Sequence, residues 1–269
     1  MRVSYGSVPH TLTGATLCDM SWCLEGDQFL LRISGDHYFH YSKGAGVTIE
    51  RGSGADHSVE SLWLSGSVYS AVSCINGFMP IHASAVCHDG KVYAFTGESG
   101  AGKSTAVTAL GTRGLPLFCD DTLVLDLSDP ERIVCLPGHK RLKLSQEALD
   151  LTGAARREKV GEQIAKFYAE PPTPYVGGDL PLARLIFLED GAAPAITPIT
   201  GAERMLRLKD DHYTAMHFAA AQQFEPAAHF LHLARLARQI EMARFVRPWD
   251  RACFEDGIAL AHSYITGRQ

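Results

Sequence analysis

Apolar and polar positions alternate along three early stretches of the chain: FLLRIS from Phe29, HYFHYS from His37 and GVTIER from Gly46. Alternation with a period of two sends every second side chain to the same face, so each stretch predicts a strand. The turn-forming runs Ser34-Gly35-Asp36 and Lys43-Gly44-Ala45-Gly46 separate them, which makes residues 1–58 a small β-rich layer. The period then changes. Leu64, Val68, Val72, Ile75 and Met79 recur at steps of three and four, predicting a helix over 61–79 with one buried face. The uncharged run 61–81 is long enough to cross a bilayer, but its five Ser, two Gly, Asn76 and Pro80 assign it to a soluble helix.

From residue 81 strands and helices alternate, which sets the class as α/β. HASAVCH and KVYAFT flank the turn Asp89-Gly90, and a glycine loop leads into a helix that starts near Lys103 and stops around Gly111 to Gly114. Two short apolar runs surround Asp120-Asp121, and RLIFLE (184–189) and AITPIT (195–200) add strands. The stretch 153–179 has no clean period, holds Pro171, Pro172, Pro174, Gly177 and Gly178, and clusters Arg156, Arg157, Lys159 and Lys166, so it is expected to be a mobile basic loop. Two helices close the chain, one burying Phe230, Leu233, Ala237 and Ile240, the other Phe254, Ile258, Ala261 and Ile265. The glycine-rich GSGADHS (52–58) divides a β-rich module, 1–58, from a catalytic domain, 59–269.

Composition narrows the partners. With 46% hydrophobic residues the chain can bury a core, and 25 Lys and Arg against 30 Asp and Glu leave a net charge of -5, so neither nucleic acid nor a membrane is an expected partner. Seven cysteines are scattered without CxxC pairs and the first ten residues, MRVSYGSVPH, lack an apolar signal run, so the expectation is reduced thiols and a cytoplasmic protein.

The chemistry centres on GESGAGKS, where Gly97, Gly102, Lys103 and Ser104 satisfy the P-loop (Walker A) pattern G-x-x-x-x-G-K-[ST] between a strand and a helix. Successive backbone N–H groups of Gly97, Glu98, Ser99, Gly100, Ala101 and Gly102 can turn onto phosphates, and the first helical residues, Lys103, Ser104 and Thr105, add the positive end of the helix. Lys103 suits the β and γ phosphates of ATP, and the Ser104 hydroxyl suits Mg²⁺. The lysine is expected to face solvent when no nucleotide is bound. Asp120 and Asp121 follow at a strand edge, where adjacent carboxylates diverge, one toward metal and one toward an acceptor hydroxyl. His82 precedes the strand HASAV, placed to contact the γ phosphate or orient an aspartate.

These residues together carry a resemblance. MPIHASAV, DGKVYAFTGESGAGKSTAVTAL and RGLPLFCDD, within 79–121, resemble the catalytic core of HPr kinase/phosphorylase, and more closely the related serine kinases found beside peptide-tailoring genes. LPGHKRLKLSQEAL and ARQIEMARFVRPWD extend a looser similarity over 61–269. The resemblance implies a P-loop kinase core of the phosphoenolpyruvate-carboxykinase-like type, to which this chain adds a helical C-terminal part and an N-terminal β layer that does not resemble the regulatory domain of those enzymes. It also implies His82 near the transferred phosphate, Asp120 as base, Asp121 at the metal with Ser104, and Arg141 or Lys143 facing phosphate. The Glu-, Arg- and Gly-rich second signature of the bifunctional enzymes has no counterpart between 122 and 200, which implies forward transfer only.

The expected function is therefore an ATP- and Mg²⁺-dependent kinase acting on a serine of a peptide or small protein, most specifically a ribosomal lasso-peptide precursor. A small-molecule kinase, an HPr-type protein kinase and a non-catalytic ATP sensor remain open alternatives, as does homo-oligomerisation.

Overall fold

In the computed structural model, which describes residues 2–14, 17–18, 21–53, 59–138, 141–209 and 226–267, the first six strands form one sheet. They are β1 (Val3–Tyr5), β2 (Leu17–Cys18), β3 (Trp22–Glu25), β4 (Gln28–Ile33), β5 (His37–Ser42) and β6 (Gly46–Glu50), in the order β1-β6-β5-β4-β3-β2. The three alternating stretches thus pair as read, with Phe29, Phe39 and Ile49 fully buried on one face. Cys23, opposite Cys18 in the β2–β3 register, is disulfide-bonded, which corrects the expectation that every thiol is reduced. Cys74, Cys87, Cys119, Cys135 and Cys253 form no disulfide.

The helix expected over 61–79 is shorter and broken into α1 (Glu60–Trp63), a π-helical turn (Leu64–Val68) and α2 (Tyr69–Ile75). Its apolar face is the one read from the spacing: Val68 and Ile75 are buried, with Leu64 and Val72 packed at the margin of the same cluster. That cluster joins Trp22, Phe29, Phe39 and Ile49 of the N-terminal sheet to Val68, Ala71 and Ile75 of the helix. Met79 belongs instead to a strand, because Gly77, at φ 86°, ends the helix two residues earlier. Residues 54–58 of the expected boundary lie outside the described residues.

The second sheet is built from β7 (Met79–Ile81), β8 (Ala83–His88), β9 (Lys91–Thr96), β10 (Leu117–Cys119), β11 (Leu123–Asp126), β12 (Val134–Leu136), β16 (Leu180–Asp190), β17 (Ala195–Pro198) and β18 (Glu241–Arg247). β9, β16 and β18 run parallel, which explains their near-continuous apolar sequences, since parallel strands are covered on both faces. Val92 and Ala94 point to one core, and Tyr93 and Phe95 to the other. The first core is closed by Leu233 and Leu236 of the helix Pro226–Gln239. The second is closed by Ala106, Val107 and Leu110 of α3 (Lys103–Thr112) and by Ile258, Ala261 and Ile265 of the helix Phe254–Thr266. Phe230, read as part of a buried face, is 53% exposed.

The segment 153–179 is not a structureless loop. β13 (Leu142–Leu144) leads into α4 (Gln146–Thr152), and β14 (Arg156–Gly161) and β15 (Ile164–Ala169) form a hairpin whose sheet order is β13-β15-β14. The register is irregular between Arg156, Lys159 and Gly161, and those shifts hide the period of two from the sequence. No helix of the described residues is long and apolar enough to cross a membrane.

Candidate active site

Two chain crossings define the site. The chain passes from β7 to β8 through His82 alone, and from β10 to β11 through Asp120, Asp121 and Thr122. β7 pairs with β11 and β8 with β10, so the two crossings lie side by side where the sheet divides. His82 Nδ1 lies 2.8 Å from the Asp121 carbonyl oxygen, and Thr96 Oγ1, at the end of β9, donates to the His82 carbonyl at 3.0 Å. Thr96 is the last residue before the glycine loop, so these two contacts fix the crossings against it.

The loop itself shows why glycine is required. A Cβ on Gly97, at φ 142°, would stand 2.9 Å from the Leu188 carbonyl oxygen, and one on Gly102, at φ 81°, would stand 2.6 Å from the Arg247 guanidinium. Gly97 to Ala101 line the cleft, while Gly102 leads into the first turn of α3, which carries Lys103, Ser104 and Thr105. Lys103 is not solvent-facing as expected. It is 6% exposed, and its ammonium donates to the carbonyls of Gly97 at 2.8 Å and Glu98 at 2.9 Å, folding the side chain back across the loop.

The aspartates diverge sharply. Asp120 is fully buried: Ser84 Oγ and Ser104 Oγ each donate to its Oδ1 at 2.7 Å, and the Lys143 backbone N–H donates to Oδ2 at 3.1 Å. Asp121 adopts a left-handed backbone, φ 71°, and lines the cleft with its side chain. A non-glycine residue held there is strained, and such strain collects at functional sites. Lys143 Nζ donates to Asp121 Oδ2 at 2.6 Å, and His82 Nδ1 lies 3.6 Å from Oδ1. Burial raises the Asp121 pKa, but the charge and hydrogen bond of Lys143, with His82 and Lys166 behind them, outweigh it and hold the carboxyl below its ordinary value. Burial likewise lowers Lys143, and the charges of Asp121 and Asp120 reverse that, so the ammonium stays protonated.

The metal pair expected from sequence was Ser104 with Asp121. The structure brings Ser104 to Asp120 instead, because the left-handed turn at Asp121 swings the second carboxylate away from α3. Of the two basic candidates, Lys143 reaches the cleft. Arg141 does not line it: its guanidinium stacks over the Tyr168 ring at 3.6 Å and pairs with Glu158. Among the described residues no group of three or more His, Cys, Asp and Glu side chains is placed to hold a metal ion. The Ser104 hydroxyl and Asp120 carboxylate nonetheless fit Mg²⁺, which takes one or two carboxylate ligands and completes its shell with water and phosphate oxygens.

His82, Thr96, Gly97 to Ala101, Asp121 and Lys143 line one cleft of about 1470 Å³, and Lys103, Ser104 and Asp120 stand behind that lining. The far end of the cleft holds a residue the sequence reading passed over: Arg247, at the end of β18, donates to the Ala101 carbonyl and lies 5.1 Å from the Trp249 ring. Burial lowers the Arg247 pKa, partly offset by Asp190. Only the parallel pairing of β18 with β16 carries Arg247 to the loop, and no local sequence signal encodes that pairing.

No family model matches the chain, and no curated protein matches it. Among solved structures it is similar to the HPr(Ser) kinase/phosphatase from Coxiella burnetii, at 13% identity over 70% of this chain and 97% of that one with a TM-score of 0.34, a likeness too slight to carry an argument about family.

Proposed function

We propose that the protein is an ATP-dependent kinase that phosphorylates a serine hydroxyl of a peptide or small protein in the cytoplasm. One observation carries this reading: a P-loop whose Ser104 bonds a fully buried carboxylate, Asp120, while the next carboxylate, Asp121, stands in the cleft beside Lys143 and His82. That arrangement separates two tasks. Asp120, positioned by three donors, would hold Mg²⁺ with Ser104, and Asp121 would take the acceptor proton, the reverse of the roles implied by the resemblance.

Phosphoryl transfer asks mainly for positioning and charge neutralisation. The loop amides and Lys103 would cradle the β and γ phosphates, with Lys103 leaving the loop carbonyls to do so. Mg²⁺ held by Ser104 and Asp120 would supply charge neutralisation for the phosphates. The serine oxygen then attacks the γ phosphorus, the bond from that phosphorus to the β,γ-bridging oxygen breaks, and the hydroxyl proton passes to Asp121 Oδ. The products are ADP and a phosphoserine. His82 and Lys143 orient that carboxylate and keep it ionised beforehand.

The cleft, at about 1470 Å³, exceeds the ~300–1,000 Å³ of a typical single-ligand pocket, leaving room for an acceptor beside the nucleotide. Within the peptide class, the sequence resemblance favours a ribosomal lasso-peptide precursor. The reading is tested by incubating the protein with ATP, Mg²⁺ and serine-containing peptides, following ADP release and the mass of the peptide. Phosphopeptide formed by the wild type and lost in Asp121→Asn supports it, and ATP that stays intact in every mixture sinks it.

A further inference from the structure

The cleft extends beyond the phosphate loop toward the N-terminal part of the chain. Along the sheet edge, Arg247 and Trp249 stand at one end, the loop and Asp121 in the middle, and Lys143 beyond. Ser104 and Asp120 lie on the Asp121 side of the loop, so the γ phosphate belongs there and the acceptor must approach from the Lys143 end. Two elements converge at that end. Arg141 joins them, reaching Ser61 Oγ of α1 at 3.4 Å while stacking on Tyr168 of the hairpin.

The walls there are mostly apolar. Leu62 and Trp63 of α1, both half-buried, line the cleft with Trp22 of the N-terminal sheet and with Ile164 of the hairpin, behind which Val160 is fully buried. Beside Trp63 the helix widens into its π turn, whose Gly66 and Ser67 also line the cleft. Such turns interrupt helices most often at functional positions. Lys166 is exposed and lines the same cleft as Asp121 and Ile164. Its three basic neighbours in sequence are turned elsewhere: Arg156 stacks on Phe167 at 3.8 Å, Arg157 pairs with Glu170, and Lys159 bonds the Glu162 carbonyl.

Resting on the kinase reading above, we propose that Trp63 and Ile164 form a recess for a bulky apolar side chain flanking the acceptor serine of a peptide, and that Lys166 pairs with a carboxylate of that peptide. An apolar wall with one cation discriminates against compact polyhydroxylated metabolites, which would leave their hydroxyls without partners. It suits an extended chain whose hydroxyl is presented to Asp121 while its neighbours are read on either side.

The probe is a degenerate serine-peptide library phosphorylated with ATP and Mg²⁺, the products being sequenced. Wild-type products should be enriched roughly tenfold in Trp, Phe, Leu or Ile at one position beside serine, and enriched in Asp or Glu nearby. Trp63→Ala should flatten the apolar preference, and Lys166→Glu should reverse the charge preference toward Lys and Arg. Lys166 is exposed, so its variant keeps the fold even if the Trp63 variant does not. ATP turnover without apolar selection, or a Lys166→Glu pattern identical to wild type, overturns the recess alone. A wild type that turns over no ATP sinks the kinase reading and the recess with it.

Discussion

Lys143 Nζ sits 2.6 Å from Asp121 Oδ2, and this contact sets the charge of the group nearest the expected acceptor. The Asp121 carboxyl is held below its ordinary value, so its contribution to stability is present above the unfolded value of about 3.9 and is lost as pH falls through the lower folded value. Lys143 is raised, so its contribution persists below about 10.4 and disappears as pH rises through the folded value. The pair therefore keeps one charge state from roughly pH 5 to 9. Lys143→Met leaves burial less opposed and should move the acid limb of the kcat/KM profile upward. An unmoved limb assigns proton acceptance to another group.

The two aspartates should separate by variant. Asparagine tolerates the left-handed backbone at position 121, so Asp121→Asn should keep the fold and ATP binding while transfer falls roughly 10²- to 10⁴-fold. Asp120→Asn sets an amide N–H₂ among three donors and should cost about 1–3 kcal/mol in thermal unfolding while raising the Mg²⁺ concentration needed for turnover. Titrating Mg²⁺ against both variants checks the assignment; the opposite pattern restores Asp120 as the base.

Lys103→Ala removes both a phosphate ligand and the side chain that bonds the Gly97 and Glu98 carbonyls. Turnover should fall by a factor on the order of 10² or more, and ATP should no longer raise the melting temperature. Retained thermal stabilisation by ATP would show that the loop amides suffice for binding.

Phe245 is fully buried in β18, two residues before Arg247. Phe245→Ala should cost about 3–5 kcal/mol by denaturant unfolding. Phe230→Ala, at a side chain 53% exposed, should stay within about 0.5 kcal/mol. Equal costs for the two would contradict the burial of the C-terminal core.

Local patterns made much of this molecule legible. HYFHYS, KVYAFT and the Asp89-Gly90 turn stand where alternation and turn chemistry place them, with Asp89 and Gly90 both at positive φ between His88 and Lys91. The loop motif located Lys103 and Ser104 in the first turn of α3. What local pattern could not encode was the conformation of single residues and the pairing of distant ones. One left-handed residue, Asp121, exchanged the surroundings of the two carboxylates, and irregular pairing disguised the hairpin 156–169 as a loop. Arg247 reaches the loop through a strand pairing that joins residues far apart in the chain.

The helix that precedes β7 shares its core with the N-terminal sheet, and that limits how the chain can be divided. A polypeptide begun at residue 59 would carry Val68, Ala71 and Ile75 as a bare greasy stripe, stripped of Phe29, Phe39 and Ile49. It would also lose Trp22 from the cleft wall. The β layer and the phosphate loop are thus one inheritance: a transplant of the nucleotide-handling half into another protein would arrive with an insoluble flank and an incomplete mouth.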